Sequence, residues 1–397
     1  MFEKLTALPP DPILSLMGLF RQDTRSNKVD LGVGVYKDEQ GNTPIMAAVH
    51  AAETRLLTEE TTKTYIGMAG SALFNERIAE LLLGSDHPAI KDKRIVTAQT
   101  PGGCGALRMV AEFLHQCAPG STVWVSDPTW GNHIPLLSSA GLQLKTYPYY
   151  DGVKKEIRFD AMMSALEQAA TGDIVLLHGC CHNPSGADLD KDQWHAVTEL
   201  MLRKGLLPFI DIAYQGLGDG LDEDAYGVRY VAAHVPEMVV AGSCSKNFGL
   251  YRERVGYLVV LSASAEQAVN AGSQVMTTIR AHYSMPPSHG AAIVETILSS
   301  ADLKKQWLDE LNVMNQRING LRRELNLALQ TQGVDQDFSF IERQKGMFSF
   351  LGINKEQILR LREEFAIYMV DSSRVNIAGL ASGNIEYVAS SIATVIR

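Results

Sequence analysis

The chain has 397 residues, 46% hydrophobic and 20% charged, which is enough apolar material for a large core divided between two or more domains. A net charge of −9 with no basic run argues against nucleic acid or an anionic membrane surface as a partner, and no uninterrupted apolar segment is long enough to span a bilayer. Five cysteines (Cys104, Cys117, Cys180, Cys181, Cys244) without disulfide-framework or zinc-ribbon spacing, and a start with no signal-peptide pattern, fit a cytoplasmic protein.

Asp11-Pro12 reads as an N-cap followed by proline at the first helical position, with Leu16, Leu19 and Phe20 at helical spacing behind it. Lys28 to Tyr36 is strand-like with glycine breaks. The middle of the chain then alternates. Strands are predicted at Arg94–Thr100, Thr122–Ser126, Asp173–His178, Leu206–Asp211 and Met238–Gly242. A turn at Gly102–Gly105 precedes a helix over Ala106–Gln116, and a second helix over Asp192–Lys204 carries Trp194, Val197, Leu200 and Met201 on one face. This alternation predicts a largely parallel sheet covered on both faces. From about residue 300 long helices (Asp302–Leu329, Glu356–Phe365) frame a few short strands, and Asn354 with Gln357 forms a capping box for the last long helix. That tail reads as a second, smaller domain, which the first forty residues are expected to join.

In parallel sheets ligands sit beyond the C-terminal strand ends, and several polar residues fall there. Lys246 follows the apolar run from Met238 and sits among Ser243, Ser245 and Arg254. A buried lysine with cationic neighbours has a lowered pKa and can condense with an aldehyde. Serines and an arginine hold a phosphate. An aldehyde and a phosphate on one small molecule describe pyridoxal phosphate (PLP). Gly102-Gly-Cys-Gly-Ala-Leu opens a helix and offers backbone amides to a phosphate, or is only a glycine-rich turn. Asn183 lies in an Asn-Pro turn, where its amide can donate to a phenolic oxygen or serve the turn alone. The adjacent Cys180, Cys181 and His182 lack a partner pair with ligand spacing, so they read as packing residues and no metal is expected. Asp211 ends an apolar strand; it pairs either with a structural cation or with a protonated ring nitrogen, and Tyr214 lies within reach of the same ring's phenolic oxygen. Trp130 is either core or a surface on which a flat ring stacks. Arg374, in Asp371-Ser-Ser-Arg-Val-Asn-Ile-Ala-Gly, and Arg280 are carboxylate clamps or ordinary ion-pair partners.

Taken together these segments resemble the class I PLP-dependent aminotransferases, in the branch of bacterial aspartate and aromatic enzymes. The resemblance runs from Asp11-Pro-Ile-Leu to Arg374-Val-Asn-Ile-Ala-Gly-Leu. Its most specific carriers are Ser-Lys246-Asn-Phe-Gly-Leu-Tyr, His-Asn183-Pro-Ser-Gly and Asp211-Ile-Ala-Tyr214-Gln-Gly. It implies the fold-type I α/β transferase architecture, with a mostly parallel seven-stranded sheet in a large domain and a smaller α+β domain. The implied boundaries are 41–310 for the large domain, 11–40 with 311–397 for the small one, and 1–10 for an N-terminal arm. Lys246 would carry PLP and move the proton, and Asp211 would pair with the ring nitrogen. Asn183 and Tyr214 would meet the phenolic oxygen, and Trp130 would stack on the ring. Gly103, Cys104, Ser243, Ser245 and Arg254 would bind the phosphate, with Tyr65 reaching that of a neighbouring subunit. Arg374 would hold the substrate α-carboxylate near Gly34, Trp130 and Asn183, and Arg280 would cross a homodimer interface to a distal carboxylate. Cys104 stands where relatives carry threonine or serine, which implies looser phosphate binding.

The resemblance implies ping-pong transfer of amino groups between amino acids and 2-oxo acids. Val123-Trp-Val-Ser-Asp-Pro-Thr-Trp130 and Gly84-Ser-Asp-His-Pro88 are similar to the aromatic enzymes, whereas Gly249-Leu-Tyr and Asp337-Phe-Ser-Phe-Ile are similar to the aspartate enzymes. An aromatic enzyme that also accepts aspartate is the expectation, with a dedicated aspartate aminotransferase as the alternative. A PLP lyase or decarboxylase, or a binding protein without turnover, accounts less well for Arg374 and Arg280 together.

Overall fold

The structure is a computed structural model and describes residues 2–397. Its centre is a seven-stranded sheet. The strands are β1 (Ile95–Pro101), β2 (Thr122–Asp127), β3 (Gln143–Pro148), β4 (Ile174–His178), β5 (Leu207–Ile212), β6 (Met238–Ser243) and β7 (Val255–Leu261). Their spatial order is β1-β7-β6-β5-β4-β2-β3. Only β7 is reversed, pairing antiparallel with β1 and with β6. β6 and β7 are buried along their whole length, which is why both read as continuous rather than alternating apolar runs.

Successive strand residues point to opposite faces, and both faces are covered. Val123, Val125, Ile174, Leu176 and Phe209 pack in one cluster with Leu107, Val110 and Leu114 of helix α1 (Gly102–Cys117). Trp124, Val175, Leu177 and Ile210 pack in the other with Trp194, Val197 and Leu200 of helix α2 (Lys191–Lys204). Each such fully buried aliphatic side chain stabilises the fold by about 1.5–3 kcal/mol. α2 starts with a capping box, Asp190 accepting from Gln193 N and Gln193 returning a bond to the Asp190 N–H. The capping box expected at Asn354 and Gln357 is also present, at the start of Lys355–Phe365.

Four sequence expectations need correction. Lys28–Tyr36 forms a strand only at Val29–Asp30. The glycines at 102–105 are not a turn before a helix but its first turn, since α1 begins at Gly102. The strands β3 and β7 were not predicted, the first because its residues are mostly not buried and its apolar signal is weak. Lys355–Phe365 is not the last long helix, because Ile385–Ile396 follows it.

The N-terminal and C-terminal regions meet. Val29–Asp30 pairs in parallel with Ile367–Tyr368, and Phe348–Phe350 pairs antiparallel with Arg374–Asn376. Arg322, from the long helix Ala301–Thr331, is buried and donates to the carbonyls of Ile341, Gly346 and Phe348 and to Ser349 Oγ. It thereby fixes the strand that faces Arg374. No helix among the described residues is long and apolar enough to cross a membrane.

Candidate active site

The parallel strands end along one edge of the sheet, and the predicted site residues gather there. Asp211 lies on β5, Asn183 follows β4, Trp130 follows β2, and Gly103 and Cys104 follow β1. Ser243 ends β6. The reversal of β7 brings Arg254, which precedes that strand, to the same edge. A cavity of about 240 Å³ is lined by all of these together with Gly34, Tyr214, Ser245, Lys246 and Arg374.

Lys246 Nζ lies 4.8 Å from the Tyr214 ring centre. Burial pulls its pKa below the ordinary lysine value, Arg254 and Arg374 add to the effect, and Asp211 and Cys104 oppose it. An amine so placed is closer to its neutral, nucleophilic form. Burial works to raise the Asp211 carboxyl, but a bond with His133 (Oδ2 to Nε2, 2.9 Å) and the surrounding positive charge hold it below the usual carboxylate range. His133 is in turn 2.8 Å from Thr129 Oγ1, which lies 3.2 Å from His178 Nε2. Burial keeps His178 neutral by lowering its pKa to about 3.

Asn183 Nδ2 donates to Tyr214 Oη at 3.5 Å, and Arg374 Nη1 donates to Asn183 Oδ1 at 3.4 Å. Burial raises the Tyr214 phenol well above its ordinary value, so it is a donor across the working range. Arg374 is 6% exposed and is not a surface ion-pair partner: Nη2 is held by the Gly32 carbonyl at 2.8 Å, the guanidinium lies 4.3 Å from the Phe348 ring centre, and Nε has no partner. An incompletely satisfied buried guanidinium has the free donors to receive a carboxylate.

At the opposite end no side chain caps the first turn of α1. Its N–H groups face Ser243 and Ser245, whose hydroxyls are 3.0 Å apart, and Arg254. Gly102 adopts φ +72, and a Cβ there would sit 2.4 Å from Arg254 Nη2, so only glycine lets the arginine close on the helix start. An uncapped sixteen-residue helix beside two hydroxyls and an arginine has the donors and the dipole to receive a phosphate.

Two predicted residues stand apart. Tyr65 is 89% exposed, and Arg280 is exposed near the end of helix Ala265–His282, donating to Ser284 Oγ; neither lines the cavity. Sequence reasoning in turn passed over His133, His178 and Phe348. A histidine six residues after a strand and a phenylalanine in a short apolar run carry no pattern that separates them from core residues. Cys180, Cys181 and Asp224 are the one group among the described residues whose donor atoms approach as a metal site would, all within 4.8 Å. The Asp224 carboxylate already accepts three backbone N–H groups; the contact with Cys180 and then burial hold the Cys181 thiol protonated, and burial does so for Cys180 against that same contact.

Residues 26–392 match the family described as aminotransferase class I and II. The chain is 50% identical over 396 residues to the aspartate aminotransferase of Salmonella typhi, covering 100% of both. It is 48% identical to the aromatic-amino-acid aminotransferase of Pseudomonas aeruginosa, covering 99% of this chain and 98% of that one. Among solved structures, the aromatic-amino-acid aminotransferase of Burkholderia pseudomallei, described as covalently bound to pyridoxal phosphate, superposes with a TM-score of 0.98 at 44% identity over 100% of each chain. With a buried lysine, an aspartate and an incompletely satisfied arginine converging on one strand edge, this chain belongs to the class I and II aminotransferase family.

Proposed function

We propose that this PLP-dependent aminotransferase moves the amino group of phenylalanine, tyrosine, tryptophan and aspartate to 2-oxoglutarate by a ping-pong mechanism. The observation that carries the reading is the convergence of Lys246, Asp211, Tyr214, Asn183 and Arg374 on one cavity. When bound, PLP supplies an electron sink for charge developing at the substrate α-carbon. The chain's residues fit it. The uncapped start of α1, with Gly103, Cys104, Ser243, Ser245 and Arg254, would take the phosphate. Asp211, kept ionised by His133, would keep a ring nitrogen protonated. Asn183 and Tyr214 would donate to the phenolic oxygen, and Trp130 would cover a ring face.

Arg374 binds the α-carboxylate and so orients the α-hydrogen toward the lysine. Lys246, with its lowered pKa, is the amine that would hold the cofactor's aldehyde, and its free Nζ would accept the substrate's α-proton and give it back. The same residues serve the reverse steps with the second 2-oxo acid.

An apolar groove of about 1100 Å³ opens from Trp130, Asn183 and Arg374 along Ile13, Leu14 and Leu19 of the N-terminal helix to Phe350 and Val370. It supports aromatic donors. The 50% identity to an enzyme named for aspartate supports the second reading, a dedicated aspartate aminotransferase. kcat/KM for phenylalanine and aspartate, each with 2-oxoglutarate, separates them. Comparable values fit dual specificity; an aspartate preference of about a thousandfold, near 4 kcal/mol of transition-state discrimination, overturns it.

We infer that residues 41–310 form the large domain, 11–40 with 311–397 the small one, and 1–10 an arm. The pairing of Val29–Asp30 with Ile367–Tyr368 supports this. The exposure of Tyr65 and Arg280, and of Phe2, Leu5 and Leu8 in the arm, supports a homodimer in which each subunit lends Tyr65 and Arg280 to its partner's site. Five unpaired cysteines support a reducing, cytoplasmic setting.

A further inference from the structure

Two carboxylates outside the cavity have no part in the chemistry above, yet each organises one of the loops that reach into it. Asp188 accepts from the N–H groups of Cys181 (Oδ2, 2.6 Å) and His182 (Oδ1, 2.7 Å), the two residues immediately before Asn183. Cys181 has φ +51, a conformation that is strained for a non-glycine residue and persists only where bonds hold it. Asp224, which is buried, accepts from Gly216 and Gly218 (Oδ2, 2.8 and 2.9 Å) and from Asp219 (Oδ1, 2.9 Å). Those amides belong to the loop that leaves Tyr214. The two gathered loops also touch, Cys181 Sγ lying 4.0 Å from the Tyr214 carbonyl.

We propose that Asp188 and Asp224 are paired positioning residues that set the separation of Asn183 and Tyr214, each by collecting the backbone N–H groups of the loop that carries one of them. The Asn183–Tyr214 distance, 3.5 Å, is long for a hydrogen bond, so the pair is not held together by its own contact. It is held apart by the loops, at a spacing that lets both groups donate to a third atom. A carboxylate suits the task because its two oxygens accept several N–H groups at once, whereas an amide side chain has one acceptor oxygen. The inference rests on the reading of Asn183 and Tyr214 as the donors to the cofactor's phenolic oxygen.

The test uses the PLP-loaded enzyme and follows the pH midpoint of the bound cofactor's absorbance change together with kcat and KM. Tyr214→Phe is the reference. Asp188→Asn and Asp224→Asn keep side-chain size and leave one acceptor oxygen. Asp219→Asn, which removes the charge paired with Lys345 while leaving the collected N–H groups in place, is the neighbour control. The expected result is that Tyr214→Phe, Asp188→Asn and Asp224→Asn move the midpoint in one direction and lower kcat about tenfold or more, with KM changed less. Asp219→Asn should stay at the wild-type midpoint. If Tyr214→Phe shifts the midpoint and neither Asp188→Asn nor Asp224→Asn does, the positioning role is wrong. If Tyr214→Phe leaves the midpoint unmoved, the reading of the phenolic-oxygen donors fails instead. Should an asparagine variant not fold, the same midpoint measured for Asp188→Glu, which keeps the charge but displaces both acceptor oxygens by one methylene from the Cys181 and His182 N–H groups, must shift; a wild-type value refutes the Asp188 half.

Discussion

At the residue scale the site turns on how burial changes a few ordinary side chains. Lys246 is drawn toward its neutral form by the removal of water, and Asp211 is held ionised by His133 against that same removal. Lys246→Ala should abolish amino transfer to 2-oxoglutarate while leaving the circular-dichroism spectrum of the fold unchanged; turnover within tenfold of wild type would remove the lysine from the mechanism. Cys104 tests the phosphate end. Its Sγ lies 3.9 Å from Asn132 Nδ2 in the cavity, and a thiol donates a weaker hydrogen bond than a hydroxyl. Cys104→Thr should slow PLP loss during dialysis, and equal retention by the two proteins would contradict the idea. Residues of this kind were legible in the sequence because each is chemically out of place in its segment, as a lysine after a buried strand is. His133 was not, since its role comes from facing Asp211 across the sheet edge, a contact between distant segments.

At the element scale four of the strands with mostly buried residues were readable, but β7, buried along its whole length, was not predicted. β6 and β7 are both continuous apolar runs, but apolarity says nothing of direction, so the reversal of β7 had no signature. The glycines of residues 102–105 misled for a physical reason: glycine is a poor helix former, yet here the first turn needs room for Arg254. The Asp224 loop carries a pH signature of its own. Burial pushes its carboxyl up to about 7 from an ordinary 3.8, against the bonds from Gly216, Gly218 and Asp219, and with Asp188 adding repulsion. The folded protein holds that proton more tightly than the unfolded chain does. The stability this contributes is complete below pH 3.8 and is lost as pH rises through 7. Asp224→Asn, which cannot ionise, should therefore have a melting temperature that gains on wild type as pH rises from about 4 to about 7, the window between those two values. Parallel melting curves across that window would show that the loop does not sense this proton.

At the scale of the whole molecule, one chain's cavity lacks the two residues that the family resemblance assigns to a distal carboxylate and to a phosphate. Arg280 and Tyr65 sit on the surface. In a dimer with shared sites, a hybrid of a Lys246→Ala subunit and an Arg280→Ala subunit retains one complete site, because each lesion falls in the same cavity. Mixing the two variants under subunit exchange should restore aspartate turnover absent from either alone. Mixtures no more active than the sum of their parts would place Arg280 in its own subunit's site or outside catalysis. None of this assembly was visible in periodicity, which reports the burial of a residue and not the molecule that buries it.

The single reversed strand has a consequence for cutting and rejoining the chain. Because β7 runs against its neighbours, residues 244–254 leave the sheet edge and return to it, so Lys246 and Arg254 are tethered through Ser243 on one side and Val255 on the other. New termini opened by circular permutation within this connection would untie one anchor of the reactive amine. The same operation at the exposed Gly152–Lys154 turn would leave every strand on that edge tied at both ends.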